Sequence, residues 1–498
     1  MNVNPITRLD YPDLDVIRVE DTYYMVSTTM HFMPGCEILQ SFDLVHWEHV
    51  TYVYETLDHT DAQQLKSGQN IYGQGMWAAS LRYHEGRFYI CFVANDTRKT
   101  YLYTSEKIDG PWKKQLIEGF YHDGSLLFDE DGRNYIVYGN DEIWITELNE
   151  DLTAPKKDGL HRLLVSDHKN PELGYEGSHI QKINGYYYIF LVHSLRDRWM
   201  RTEACFYSDS LEGEFTGGDV LCDDRGYCGQ GVAQGGIVDT PDGKWYAMLF
   251  QDSGAVGRIP ILLPVIWKDH FPFFGQNGHV PEEIEVHSTR PGYIYQPLVG
   301  SDDFCNGLLP RWQFNHDPDP RYYHLDALQG TYTITTREVC TELTQAVNTL
   351  TQRMSYPSCA AEVTVDASAL KEGDVAGLCA LQSCYAAVGI TKHHGKYEVL
   401  MLDKKEDGIL DMTEGTVVES HQMDFRLEAD FCNMKDEARC YYRVNKGDWL
   451  PIGNVHKLYF KLDHFTGCRF GLFCYAAEET GGSACFRDFK YYDVDEIS

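Results

Sequence analysis

Up to about Gly275 the chain repeats one pattern five times: a short apolar stretch, a polar turn, and a return through an aromatic stretch. The returns DTYYMV, EGRFYICF, DGRNYIVY, NGYYYIFL and DGKWYAML carry Tyr24, Tyr89, Tyr135, Tyr188 and Tyr246, spaced by 65, 46, 53 and 58 residues. Turns such as EDGR, NGYY and PDGK supply Gly or Asn where a hairpin needs positive φ. Hairpin units at this period predict the blades of a five-bladed β-propeller, whose innermost strands surround one axis. Insertions at Tyr54–Gly75 and Asp151–Gly174 are expected to be loops on the propeller faces, and Ile259–Trp267 with the following FPFFG closes the fifth blade.

From Gln276 to Ser301 the repeat stops in a stretch of Gly, Pro and charge, read as a linker. Plain period-two alternation follows at Thr331–Thr335, Ala361–Val365, Tyr397–Leu402, Phe425–Phe431, Arg469–Phe473 and Phe486–Tyr491, as in a β-sandwich. The protein is therefore expected to be all-β, with a propeller over 1–297 and a sandwich over 301–498.

Composition narrows the chemistry. A formal net charge of −32 over 498 residues argues against nucleic acid, which requires clustered Lys and Arg. No Walker-type loop or dinucleotide fingerprint is present. No apolar run approaches the length of a membrane helix, and MNVNPITRLDYPDLD lacks the basic and apolar regions of a signal peptide. The 15 Cys, without CxxC pairs, fit reduced thiols, so a cytoplasmic location is expected. The 34 Tyr suit strands and also sugar-facing surfaces.

Counting back twelve residues from the last four repeat tyrosines gives Trp77, Asp123, Glu176 and Gln234; counting back eleven from Tyr24 gives Asp13. Taken singly, Asp13 reads as a turn residue, Asp123 as an Asx-turn and Glu176 as an ion-pair partner. In register across blades they converge on the axis. Two carboxylates flanking a glycosidic bond serve glycoside hydrolysis as proton donor and as base or nucleophile. A third carboxylate raises the donor's pKa by like-charge repulsion. The longer Glu suits the acid, leaving Asp13 as base and Asp123 as modulator, although the residues alone leave the order of roles open. Trp77 is a candidate sugar platform or blade filler, Arg258 a partner for acids or hydroxyls, and His31, Phe32 and Met33 candidate substrate-binding residues in a loop beside Asp13, or simply a tight loop ending at Pro34–Gly35. Gln234 would hold a central water or fill the hub.

At these residues the chain resembles glycoside hydrolase family 43, five-bladed inverting enzymes acting on arabinose- and xylose-containing glycans. The segments TYYMVSTTMHFMPGCEILQSFDLVHWE, GMWAASLRYHEGRFYICFVAN and QGGIVDTPDGKWYAMLFQD carry the likeness. It extends through NTLTQRMSYPSCAAEVTVDAS, which is similar to the C-terminal concanavalin-like jelly roll of the xylosidase and arabinofuranosidase branch. The resemblance implies Asp13 as general base, Asp123 as pKa modulator and Glu176 as general acid, with Trp77 and Arg258 in the substrate pocket. Departures are Asp13-Leu14 for Asp-Pro, Trp77-Ala78-Ala79 for Trp-Ala-Pro, Glu176-Gly177-Ser178 for Glu-Gly-Pro, and Gln234 for a central His.

The expected function is release of terminal α-L-arabinofuranose from plant glycans or oligosaccharides by inversion. The alternatives are β-D-xylosidase or dual activity on xylo-oligosaccharides, and a non-catalytic sugar-binding propeller. A retaining fructan-type enzyme is disfavoured because no Asn-Asp-Pro-Asn-Gly-like motif surrounds Asp13. No cofactor is required and no metal ligand set is visible; a structural calcium or a central water near Gln234 is the one ion question the sequence raises. The expected partner is an arabinose- or xylose-containing oligosaccharide, with no nucleic acid and no membrane, and assembly with identical chains is compatible with the sequence.

Overall fold

The computed structural model describes residues 2–493; residue 1 and residues 494–498 of the two expected domain spans lie outside the described residues. Five four-stranded antiparallel sheets stand around one axis, each with its strands in chain order from the hub outwards. Blade 1 is Asp15–Val19, Thr22–Val26, Gly35–Ser41 and Glu48–Tyr54; blade 2 is Met76–His84, Arg87–Ala94, Lys99–Ser105 and Lys113–Ile117. Blade 3 is Ser125–Phe128, Asn134–Asn140, Glu142–Leu148 and His161–Ser166; blade 4 is Glu176–Ile183, Tyr186–Ser194, Arg201–Ser208 and Thr216–Leu221. Blade 5 is Val232–Asp239, Trp245–Asp252, Arg258–Lys268 and Phe271–Phe274. The five repeat tyrosines occupy corresponding places in the second strands, opposite Ile17, Arg82, Leu127, Gln181 and Val238. Apolar side chains between neighbouring blades form the cores, as in the cluster of Ile38, Tyr54, Leu81, Phe92 and Tyr101 between blades 1 and 2.

The N-terminal segment lies against blade 5. Asn2–Val3 pairs with Glu283–Ile284, and Asn4 donates its amide to the Leu262 carbonyl at 2.7 Å. The segment expected as a linker is a strap over the rim of blade 1. Thr289 donates its backbone N–H to Phe42 at 2.8 Å, Tyr293 and Tyr295 pack on the Phe42 ring, and Tyr293 bonds Glu48.

The second domain is a two-sheet sandwich. One sheet has eight strands, with Arg469–Tyr475, Val375–Leu381 and Ala386–His393 at its centre; the other has seven, with Ser483–Asp493, Ser358–Asp366 and Gln422–Asp430 at its centre. Gln422–Asp430 alternates buried and half-buried positions, the signature of a strand with one face on a core. The core also takes in Ala255, Val256 and Ile259 from blade 5, so the two domains share one apolar interior. A buried Arg353–Glu37 ion pair of 2.8 Å pins them together, with Arg353 stacked over Tyr11 at 4.1 Å. All fifteen cysteines are free thiols.

Candidate active site

The first strand of every blade enters the hub through a residue with left-handed backbone. Four positions before the partner of each repeat tyrosine stand Asp13, Ala78, Asp123, Gly177 and Gln234, with φ of 51°, 22°, 48°, 67° and 67°. Left-handed backbone costs a residue with a Cβ on the order of 1–3 kcal/mol, and such strain clusters at functional sites. This alignment corrects the count from sequence. The hairpins of blades 2 and 4 have two-residue turns, like blade 1, whereas blades 3 and 5 have five-residue turns. Trp77 and Glu176 therefore precede the hub-equivalent residues of their blades by one.

That one-residue offset separates the three carboxyls into two levels. Asp13 and Asp123 sit at the hub, 9% and 6% exposed. Glu176, at the first ladder position of blade 4, keeps 18% of its side chain open. Asp13 accepts three bonds: from Arg258 Nη1 at 3.0 Å and Gln234 Nε2 at 3.0 Å on Oδ1, and from the Thr28 hydroxyl at 2.7 Å on Oδ2. Asp123 accepts the Gly177 backbone N–H at 2.9 Å. Burial, with Glu176 and Asp13 adding to it against the opposing His122, pushes the Asp123 carboxyl up to about 6. Glu176 accepts from the Asn140 amide at 2.7 Å.

His122 is a site residue that reading YHDG for its Asp alone overlooks. Its Nε2 lies 3.6 Å from both Asp123 and Glu176, ion-pair rather than hydrogen-bond distance. The Asp123 carboxylate, with Glu176 assisting, pushes this imidazole up to about 9 against its burial. Its ring centroid lies 6.1 Å from that of Trp77.

The sandwich supplies further residues. Phe465 lies 5.4 Å from Trp77 and packs over the Arg258 guanidinium at 4.5 Å, and His464 stacks on Tyr72 at 4.0 Å. Nothing in the sequence links residues 464–465 to a hub some 200 positions away; only the docking of the domains does. His31 and Phe32 stand in this junction, His31 bonded to Asn315 at 3.1 Å and Phe32 under Arg469 at 3.4 Å. Met33 belongs to the core between blades 1 and 2, its backbone bridged to Phe314.

Beneath the acids a space of about 10 Å³ is bounded by residues that include Asp13, Asp15, Ser80, Asp123, His179 and Gln234. This is the size of one water. Its acids are already engaged: Asp15 bonds Arg82 at 2.7 Å and His179 at 3.2 Å, and these partners hold it down at about 2 against burial. The space beside Gln234 has room for a single water.

The geometry is thus an anchored, acceptor-only carboxylate, a more open carboxyl, and a buried third near both, with Trp77, Arg258 and Phe465 alongside. The model of glycosyl hydrolases family 43 matches residues 3–272, and that of the beta xylosidase C-terminal concanavalin A-like domain matches residues 301–492. A beta-xylosidase of Formosa agariphila is 26% identical, covering 99% of this chain and 89% of its own. A non-reducing end alpha-L-arabinofuranosidase of Bacteroides ovatus is 23% identical, over 82% of this chain and 79% of its own. The solved structure of a bifunctional GH43-CE protein of Bacteroides eggerthii superposes with a TM-score of 0.92 at 42% identity, covering 99% of this chain. This chain spans 64% of that protein's length. The chain belongs to glycosyl hydrolases family 43.

Proposed function

We propose that the protein is an inverting, exo-acting glycosidase that releases terminal α-L-arabinofuranose, with Asp13 as general base, Glu176 as general acid and Asp123 as pKa modulator. The observation that carries this reading is the split of three clustered carboxyls into different environments. A carboxylate held by Arg258, Gln234 and Thr28 is an acceptor suited to drawing a proton from water. Glu176 is open to a leaving-group oxygen, and an imidazole nitrogen of His122 and carboxylate oxygens of Asp123 and Glu176 lie within 4.8 Å of one another. Such a cluster lets the charge on Asp123 and His122 control when Glu176 holds its proton. In the reaction Glu176 protonates the departing oxygen as the glycosidic bond breaks, while Asp13 takes a proton from the water attacking the opposite face. Exo action is supported by the approach of Phe465 to Arg258 at 4.5 Å, which brings the sandwich against one side of the acids.

A second reading, β-D-xylosidase, is favoured by the names of the Formosa relative and of the C-terminal family. The two sugars present similar hydroxyls to one pocket. Initial rates on nitrophenyl α-L-arabinofuranoside and nitrophenyl β-D-xylopyranoside decide between them: a kcat/KM ratio above one supports the first reading and a ratio below one the second. Absence of hydrolysis on both, with the sugars still bound, would make the propeller a binding module.

A further inference from the structure

Glu203, in the third strand of blade 4, has no exposed surface. Its Oε2 accepts the Gln234 backbone N–H at 2.7 Å, while its Oε1 is buried without a hydrogen-bond partner. The titratable groups around it offer no counter-charge. On its own strand Arg201 is taken by Asp252 at 2.9 Å and Cys205 is a buried thiol; on the neighbouring strand His193 faces Asp219 and Asp167; beyond Gln234 lies Asp13 with Arg258. Burial alone drives its carboxyl well above the ordinary range. A buried acid of this kind calls for an explanation.

The explanation lies in the blade 5 ladder. Pairing steps from Ala233–Phe250 to Gly236–Met248, leaving Gln234 and Gly235 outside it. The Gln234 N–H has thereby lost its ladder acceptor, and an unpaired buried N–H is costly. The equivalent N–H groups of Ala78 and Gly177 are captured by the Thr28 hydroxyl at 2.8 Å and by Asp123 at 2.9 Å. Each of these captors is a catalytic carboxyl or bonds to one, since Thr28 also donates to Asp13. Glu203 is the third captor. The Gln234 side chain it supports reaches Asp13 Oδ1 and lies over Gly177, where an added Cβ would meet Gln234 Cγ at 2.7 Å.

We propose that Glu203 is a positioning residue: through the Gln234 bulge it fixes the orientation in which the Asp13 carboxylate activates water. The inference rests on the reading of Asp13 as base. Glu203 acts as a neutral acid, its carbonyl oxygen accepting from Gln234, so an amide can replace it and an alkyl chain cannot.

The test compares wild type with Glu203→Gln, Glu203→Leu, Gln234→Ala and the Glu203→Leu/Gln234→Ala double variant on the better aryl glycoside. Glu203→Leu is expected to lower kcat about 10- to 100-fold, the cost of a small misplacement at the reacting group. KM should stay within about twofold, because substrate contacts are untouched. Glu203→Gln should retain kcat within about threefold, and the double variant should be no slower than Gln234→Ala alone. Unchanged kcat in Glu203→Leu, a Glu203→Gln as slow as Glu203→Leu, or multiplied losses in the double variant would overturn the proposal. Melting temperature against pH gives a second arm should Glu203→Leu fail to fold. The unfolded Glu ionises above about 4.3, whereas the folded one stays protonated, so wild type loses stability as pH rises and Glu203→Gln does not. The gap in melting temperature should widen in favour of Glu203→Gln from pH 5 to pH 8, and a gap independent of pH would contradict a neutral Glu203. Wild type inactive on both aryl glycosides, or an active Asp13→Asn, would instead sink the reading of the reaction, leaving the melting arm to judge Glu203 by itself.

Discussion

In the sandwich, Ser358–Asp366 pairs with Gln422–Asp430 through nine successive residues, and their inward side chains are Cys359, Ala361, Val363 and Val365 on one strand and Met423, Phe425, Leu427 and Ala429 on the other. At the propeller hub, the ladders of blades 2, 4 and 5 skip two residues each, five positions are left-handed, and the buried side chains include Asp, Glu, His and Arg. Local preference, burial and hydrogen bonding agree in the first region and conflict in the second. At the hub the conflict falls where side chains must present charge to a substrate, a place where a fold is expected to give up regularity for chemistry. The hub is therefore expected to govern rate, and the sandwich with its junction to govern stability.

The comparison is broken most directly at Asp13. Asp13→Asn removes the base while keeping its shape, and kcat of the folded enzyme should fall by about 10⁴ on every leaving group, a loss separate from the stability given up when Arg258 loses its buried charge partner. Activity that fell only in step with unfolding would erase the distinction between the regions.

The junction should show the opposite behaviour. Arg353→Met leaves the buried Glu37 with His49 alone as partner, which costs about 3–5 kcal/mol of stability in urea unfolding while kcat of the folded enzyme is kept. A pH signature accompanies it. Although burial opposes, Arg353 and His49 hold Glu37 down at about 2, below its unfolded value. This contribution is present above the unfolded pKa of about 4.3 and is lost as pH falls towards 2. Arg353→Met should therefore flatten the acid side of the stability curve, and a curve of unchanged slope would contradict the assignment.

Glu176→Gln sharpens the picture within the hub. Aryl glycosides with acidic phenols need little protonation and should lose about tenfold or less, whereas oligosaccharides should lose about 10² or more. Equal losses on both would reverse or void the roles of Glu176 and Asp13. Smallest is the effect of Asp123→Asn. Removing the neighbouring negative charge should move the alkaline limb of the pH–rate profile to lower pH, and a limb that stayed in place would remove Asp123 from the control of the acid.

The regular region was the more legible from sequence. Thr331–Thr335 is a strand with the bounds its alternation implied, and Tyr397–Leu402 and Arg469–Phe473 each fall within one. The repeat tyrosines located the blades because each packs at the same depth of its sheet. The hub was legible to within one residue. Turn length, read for Tyr24 and overlooked for Tyr89 and Tyr188, shifted Trp77 and Glu176 out of equivalence with Asp13 and Asp123. His122 and Glu203 were missed because neither holds the repeat position, and Phe465 because its approach to Arg258 depends on how two domains dock.

The central claim is that Asp13 works through a water on the face opposite to Glu176. Proton NMR during the first minutes of hydrolysis of an α-L-arabinofuranoside or, if that is the better substrate, a β-D-xylopyranoside tests it directly. Inversion predicts that β-arabinofuranose, or α-xylopyranose, appears first and then mutarotates. Initial release of the anomer with retained configuration, or transfer of the sugar to added methanol, would contradict it.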